Sequence, residues 1–170
     1  MTLRGHTGPL MSITGPKQSS DSKIEKLLFT AGSEGAIRVW NMPDQSVDEK
    51  YPQTNGRNFC VGILSDKISE PVWQIVYHPF ANLLLSIKSD NLVQVWDCKD
   101  LVNKASSYDH SNVEKCKEDF VTISEPFKEY THEAGGAPTC CTWLPTDNNQ
   151  FAIGYSTGQV AFFDYKTGQV

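Results

Sequence analysis

Four histidines, five cysteines and twenty carboxylates are the groups through which this 170-residue chain could do chemistry. His6 follows Gly5 just ahead of an apolar strand, where a metal ligand or a base is conceivable but a structural hydrogen-bonding role fits better. Cys98, His110 and Cys116 share one polar stretch that could suggest zinc. A closed site needs four ligands at tight spacing, and these gaps are long, so no metal is expected. Cys140 and Cys141 are adjacent on a strand and face opposite ways, so at most one points inward. With no histidine placed to activate either, a packed thiol is expected rather than a nucleophile. Phosphate-loop and dinucleotide glycine patterns are absent, and no paired carboxylates stand out. Catalytic and cofactor-binding residues are therefore both expected to be none.

The elements that would position these groups repeat. Ser33-Glu34-Gly35-Ala36-Ile37-Arg38-Val39-Trp40-Asn41 is echoed by Ser89-Asp90-Asn91-Leu92-Val93-Gln94-Val95-Trp96-Asp97. A more worn copy is Ser156-Thr157-Gly158-Gln159-Val160-Ala161-Phe162-Phe163-Asp164. Each is a tight turn, then an alternating strand closing on an aromatic and an Asp or Asn, with Pro9, Pro71 or Pro138 upstream. This self-similarity is the signature of WD-repeat propeller blades, each a four-stranded antiparallel sheet. The fold expected is all-β: a WD-repeat propeller fragment of two complete blades and most of a third. Repeats of ~40–45 residues leave no room for a closed ring of four to eight blades.

Blade one is expected over about 9–64. Its strands begin near Leu10, Lys26, Ala36 and Phe59, with a loop from Pro43 to Asn58. Blade two is expected over about 71–130. It is interrupted at 98–125 by a polar stretch without clear period, read as a surface insertion before an outer strand at Phe127–Tyr130. Blade three spans about 138–170 and is cut off before its outer strand. A net charge of −5, with 15 basic residues scattered among 20 acids, argues against nucleic-acid binding. No apolar run is long enough to insert in a membrane, and no signal-peptide core stands at the start. The odd cysteine count without framework spacing suits reduced thiols and a cytoplasmic location.

Well-formed blades of this type carry a buried polar chain: a His before the inner strand, Ser or Thr ten positions before the terminal Trp, and Asp six before it. Paired in this way, the buried polar groups hold the blade in one arrangement. Blade one offers His6, Thr30, Glu34 and Trp40. Blade two offers Ser86, Asp90 and Trp96 without a nearby His. Blade three has Ile153 and Thr157 at these places, so its chain is expected to be broken.

Across nearly its whole length the sequence resembles the C-terminal propeller of the striatins. His6-Thr7-Gly8-Pro9-Leu10, the linker Trp40-Asn41-Met42-Pro43-Asp44-Gln45-Ser46-Val47-Asp48 with Tyr51-Pro52, and Pro71-Val72-Trp73-Gln74-Ile75-Val76-Tyr77 carry the likeness. The resemblance implies a scaffold linking protein phosphatase 2A to kinases and adaptor proteins. The family's coiled coil and calmodulin-binding segment find no match in these residues. Trp73 on an inner strand is either a partner-docking residue or packed against the next blade, and Met11, its blade-one counterpart, shares both readings. Two other functions compete: a WD-repeat adaptor such as a ubiquitin-ligase substrate receptor, and a propeller enzyme. The enzyme would need ionisable groups converging on the channel, and none do so here.

Overall fold

The computed structural model describes residues 3–16, 24–42, 59–89, 91–108, 118–131 and 136–168. The first sheet contains β1 (Leu10–Thr14), β2 (Leu27–Gly32), β3 (Ile37–Asn41) and β4 (Cys60–Leu64), antiparallel in chain order. The second contains β5 (Val72–Tyr77), β6 (Leu83–Lys88), β7 (Val93–Asp97) and β9 (Lys128–Tyr130); the third contains β10 (Pro138–Trp143), β11 (Gln150–Tyr155) and β12 (Val160–Asp164). This is a fragment of a WD-repeat propeller, with the inner strands β1, β5 and β10 side by side.

The turn between the second and third strands has one geometry throughout. Gly35 (φ 82°), Asn91 (φ 67°) and Gly158 (φ 83°) hold the same place in the three sheets, all left-handed. Glycine meets this demand without a Cβ clash, and Asn is among the few other residues that adopt it readily. The pairings Trp40–Leu28, Trp96–Leu84 and Phe163–Phe151 then fall in one register.

The middle sheet packs one face on its predecessor and the other on its successor. Phe29, Ile37 and Val39 meet Val72, Ile75, Tyr77, Leu84 and Trp96 in one core. Leu85, Val93 and Val95 meet Cys141, Trp143, Phe151, Ile153 and Phe163 in another. Burying both faces of the middle sheet explains why every residue of β6, and every residue of β7 but Asp97, is buried.

Both described parts of the 98–125 stretch, which was expected to be a surface insertion, hold regular structure packed on the first sheet. The stretch opens with α1 (Lys99–Ser106), whose Leu101, Val102 and Ala105 are buried in the first core. Asn41, the polar residue after the first terminal Trp, donates its Nδ2 to the Ala105 carbonyl at 2.7 Å. The stretch closes with β8 (Val121–Ile123), which pairs parallel with β4 and makes the first sheet five-stranded instead of four. A three-residue strand with a remote partner has no local period to reveal it. The segment thus straps the second blade's outer connection onto the first blade's edge. His110 and Cys116 lie outside the described residues.

Candidate functional site

The polar chain of blade one is assembled from three elements. Trp40 on β3 donates Nε1–H to Thr30 Oγ1 on β2 at 2.7 Å. Thr30 Oγ1 lies 2.6 Å from His6 Nε2, and His6 Nδ1 contacts the Glu34 carboxylate in the turn. An ionised carboxylate only accepts, so His6 Nδ1–H donates to Glu34 and Thr30 donates its hydroxyl proton to Nε2. Burial pushes the Glu34 carboxyl up. Backbone hydrogen bonds at Glu34 and Thr7, together with His6, outweigh that push and hold it below its ordinary value. Glu34 therefore fills the place of the usual Asp despite its extra methylene. Gly32 makes the room, since a Cβ there would sit 2.1 Å from Glu34 Oε2 and 2.6 Å from His6 Nδ1.

Blade two keeps half of this chain and builds something else beside it. Trp96 Nε1–H donates to Ser86 Oγ at 2.9 Å; Asp90 lies outside the described residues. Lys88 occupies the place of Gly32 and is itself buried. Its Nζ donates to Asp66 Oδ1 and Oδ2 at 2.6 and 2.7 Å and to the Ile68 carbonyl at 2.6 Å. Gln94 adds Nε2–H bonds to Asp66 Oδ2 at 2.7 Å and Glu129 Oε1 at 2.8 Å. Burial raises the Asp66 carboxyl, but Lys88 and Gln94 outweigh it and hold it low. A buried charge is tolerable only when paired and hydrogen-bonded, as here. The sequence reading missed this cluster. Its one legible signal is a Lys closing an otherwise apolar strand.

His78 carries no signal in the sequence beyond the proline that follows it. It is buried, accepts backbone N–H bonds from Phe80 (3.0 Å) and Ala81 (2.9 Å) at Nδ1, and donates Nε2–H to the Asn148 carbonyl at 2.7 Å. Those roles require the neutral ring. Burial pushes its pKa below the ordinary value, against the opposing bond to Asn148. The ring thereby stitches blade two to blade three. In blade three itself Ile153 stands in the polar position, and Phe151 stacks on Phe163 with ring centroids 5.3 Å apart.

Met11 and Trp73 share an unanticipated feature. In all three sheets the register slips at the start of the inner strand, between Leu10 and Ser12, Val72 and Gln74, and Pro138 and Cys140. The extra residue is Met11, Trp73 or Thr139. A bulge re-aims its side chain out of the sheet, and all three are solvent-exposed, Trp73 by 47%.

Cys98 and Cys141 are buried and desolvation raises their thiols, the condition of an inert thiol rather than a nucleophile. Cys140 is exposed on the opposite side of its strand. Among the described residues no three His, Cys, Asp or Glu side chains gather to hold a metal, and no helix is long and apolar enough to cross a membrane.

Comparison with known proteins agrees with the repeat structure. The family described as WD domain, G-beta repeat matches residues 1–41 and 58–97, the first two blades' polar chains included. Striatin-3 from Bos taurus is 25% identical over 168 residues, covering 99% of this chain and 17% of its own length. A striatin homolog from Dictyostelium discoideum is 23% identical, over 99% of this chain and 18% of its own. The chain thus spans less than a fifth of these relatives. A chain in a crystal structure of the mitotic checkpoint complex superimposes with a TM-score of 0.63 at 18% identity, covering 99% of this chain and 39% of that one. That likeness concerns the fold alone.

Proposed function

We propose that this striatin-like run of WD40 repeats is a protein-interaction scaffold that docks a partner on the bulged ends of its inner strands. The observation that carries the reading is the triple bulge. It holds Met11, Trp73 and Thr139 outward at equivalent positions, and Trp is enriched among the residues that carry binding energy in protein interfaces. The blades, taken as units at about 9–64, 71–130 and 138–170, supply the rigid frame. The polar groups His6, Thr30, Glu34, Trp40, Ser86 and Trp96 are spent on holding that frame.

The finer reading follows the resemblance: the partners belong to a cytoplasmic assembly of protein phosphatase 2A with kinases and adaptor proteins, and the chain is a non-enzymatic signalling subunit. Affinity capture with the wild-type protein and with Trp73→Ala tests both levels. The expected result is phosphatase 2A subunits with the wild type, and loss of at least one captured partner with Trp73→Ala at unchanged circular dichroism. Capture without phosphatase 2A would sink the striatin reading. Ubiquitin-ligase components in its place would favour the substrate-receptor alternative. An identical set of partners with both proteins would remove Trp73 from the interface.

A further inference from the structure

Two connections carry the chain from blade one to blade two, and they frame a groove. Residues 65–71 follow β4, and residues 124–127 follow β8. They leave the first sheet side by side, with Ser65 N–H donating to the Ile123 carbonyl at 3.0 Å. Phe127 N–H then anchors the second connection to the Val95 carbonyl at 2.8 Å. The groove between them has a volume of about 440 Å³, with Asp66, Ile68, Glu125, Phe127 and Glu129 among its lining residues. Its walls join two sheets that already cover each other, yet Ile68 and Phe127 are about half exposed.

The polar groups of the groove are held from beneath. Gln94 on β7 is fully buried, and its Nε2 donates to Asp66 Oδ2 at 2.7 Å and to Glu129 Oε1 at 2.8 Å. Two carboxylates thus converge on one nitrogen. Lys88 compensates Asp66 through both oxygens. Among the described residues no cation pairs with Glu129. Its neighbour Lys128 turns Nζ to the Lys166 carbonyl at 2.6 Å, toward blade three. Lys67 lies 3.9 Å from Glu125 with both side chains open to water, and such a pair is weak. The other polar atom of the same amide, Gln94 Oε1, is buried without a donor among the described residues. Buried acceptors are nearly always paired, so an unpaired one beside an uncompensated carboxylate marks a place for a donor from outside.

We infer that this groove receives a basic, partly apolar segment of a partner protein, anchored by an arginine. A guanidinium carries five N–H donors and no acceptor, and it meets a carboxylate with two parallel bonds. It therefore satisfies Glu129 and Gln94 Oε1 together. Its flat face and alkyl stem suit the half-exposed Phe127 ring and Ile68. An acidic segment would meet Glu125 and Glu129 as like charges. A purely apolar one would drive water from Glu129 and put nothing in its place. The inference is independent of the surface around Trp73, since that residue stands on the inner strand of blade two and the groove lies at its outer strand.

The test is fluorescence anisotropy of the 170-residue chain with a labelled peptide of alternating Arg and Leu. The control is the same peptide with citrulline for each Arg, which keeps the shape and loses the charge. Saturable binding of the Arg peptide is expected, weakened by salt, and citrulline should lower it by about tenfold or more. Glu129→Gln and Phe127→Ala should each weaken it by about tenfold as well. Phe80→Ala removes another exposed aromatic past the opposite end of β5 and should leave binding unchanged. All three positions are exposed, so circular dichroism should match the wild type. A nitrogen-15 spectrum gives a second reading that needs no variant: the Gln94 side-chain amide signals should shift as the Arg peptide is added. Absence of saturable binding up to about 1 mM peptide would overturn the inference. So would equal affinity for the citrulline peptide, indifference to Glu129→Gln, a loss with Phe80→Ala as large as with Phe127→Ala, or Gln94 amide signals that stay in place at saturation.

Discussion

Blades one and three solve the same problem with opposite chemistry. In blade one, His6, Thr30, Glu34 and Trp40 form a hydrogen-bonded chain, which Gly32 admits by having no side chain. In blade three the corresponding space is filled by Ile153, Phe151, Phe163 and Tyr155, with Tyr130 and Trp143 edge-on to Phe151 at 5.1 and 5.5 Å. The strand register is unchanged. The blade is thus defined by its backbone and its aromatic terminus, while the polar chain is one of several ways to fill it. A polar chain is intolerant of partial loss, because each member leaves another unpaired. An apolar cluster degrades in proportion to the volume removed.

The largest effect that could break this comparison is Phe163→Ala. It empties the stack on Phe151 and should cost about 3–5 kcal/mol in urea unfolding, like other large-to-small aromatic changes in cores. A cost below about 1 kcal/mol would show that blade three contributes little to the cooperative unit.

Thr30→Val keeps the shape of blade one but strands the Trp40 Nε1–H and His6 Nε2. About 1–3 kcal/mol is expected in the same assay. The reciprocal Ile153→Thr should also destabilise, since no His or Trp stands opposite to use the hydroxyl. Should Ile153→Thr be neutral, blade three is wetter than its side chains suggest.

Gly35→Ala and Gly158→Ala sharpen the contrast between a covered and an uncovered blade. Both positions are left-handed, which alone costs an L-residue about 1–2 kcal/mol. At Gly35 the new Cβ would also meet the Ser69 backbone at 2.8 Å, whereas at Gly158 it meets nothing within 4 Å. The first substitution should therefore lower Tm more than the second, and equal losses would mean that the 69–70 segment yields freely.

The smallest effect is a pH dependence from His78, which joins blade two to blade three. Its folded pKa lies below the ordinary 6.5, so the folded state holds the neutral ring and the unfolded chain takes up the proton first. The stability contribution is complete above about pH 6.5 and is lost as pH falls from there through the folded pKa. A thermal melt series over this range should flatten in His78→Gln, and an unchanged slope would place the acid sensitivity elsewhere. Glu34 and Asp66, both with lowered pKa values, add their own losses only at more acid pH.

The fold was legible because its signals are local. A left-handed turn residue, an alternating strand and an aromatic terminus recur at fixed offsets, and the hairpin geometry they impose is a property of a few adjacent residues. His6, Thr30, Glu34 and Trp40 could be assigned to one cluster on the same ground, since three of them sit on a single hairpin. The bulges that turn out Met11 and Trp73 were not legible, although both residues had been singled out. A register slip depends on how the inner strand meets its neighbours, and the apolar pattern runs through it uninterrupted.

What the amino-acid sequence determined by itself is therefore the blade: where each strand turns, which aromatic closes it, and which sheets keep a polar chain. Stacking decided the rest. Lys88 finds Asp66, and Gln94 finds Asp66 and Glu129, only when blade two's sheet is paired and the 66–68 turn folds over it. Residues 99–106 become helix because Leu101, Val102 and Ala105 join the first core, and Val121 to Ile123 become strand because they find the free edge of β4. Burial and backbone pairing between residues far apart in the chain leave no period in either segment alone. The same physical reason separates Ile13 from Ile75: equivalent residues on equivalent strands, one exposed and one buried, according to whether another blade lies against them.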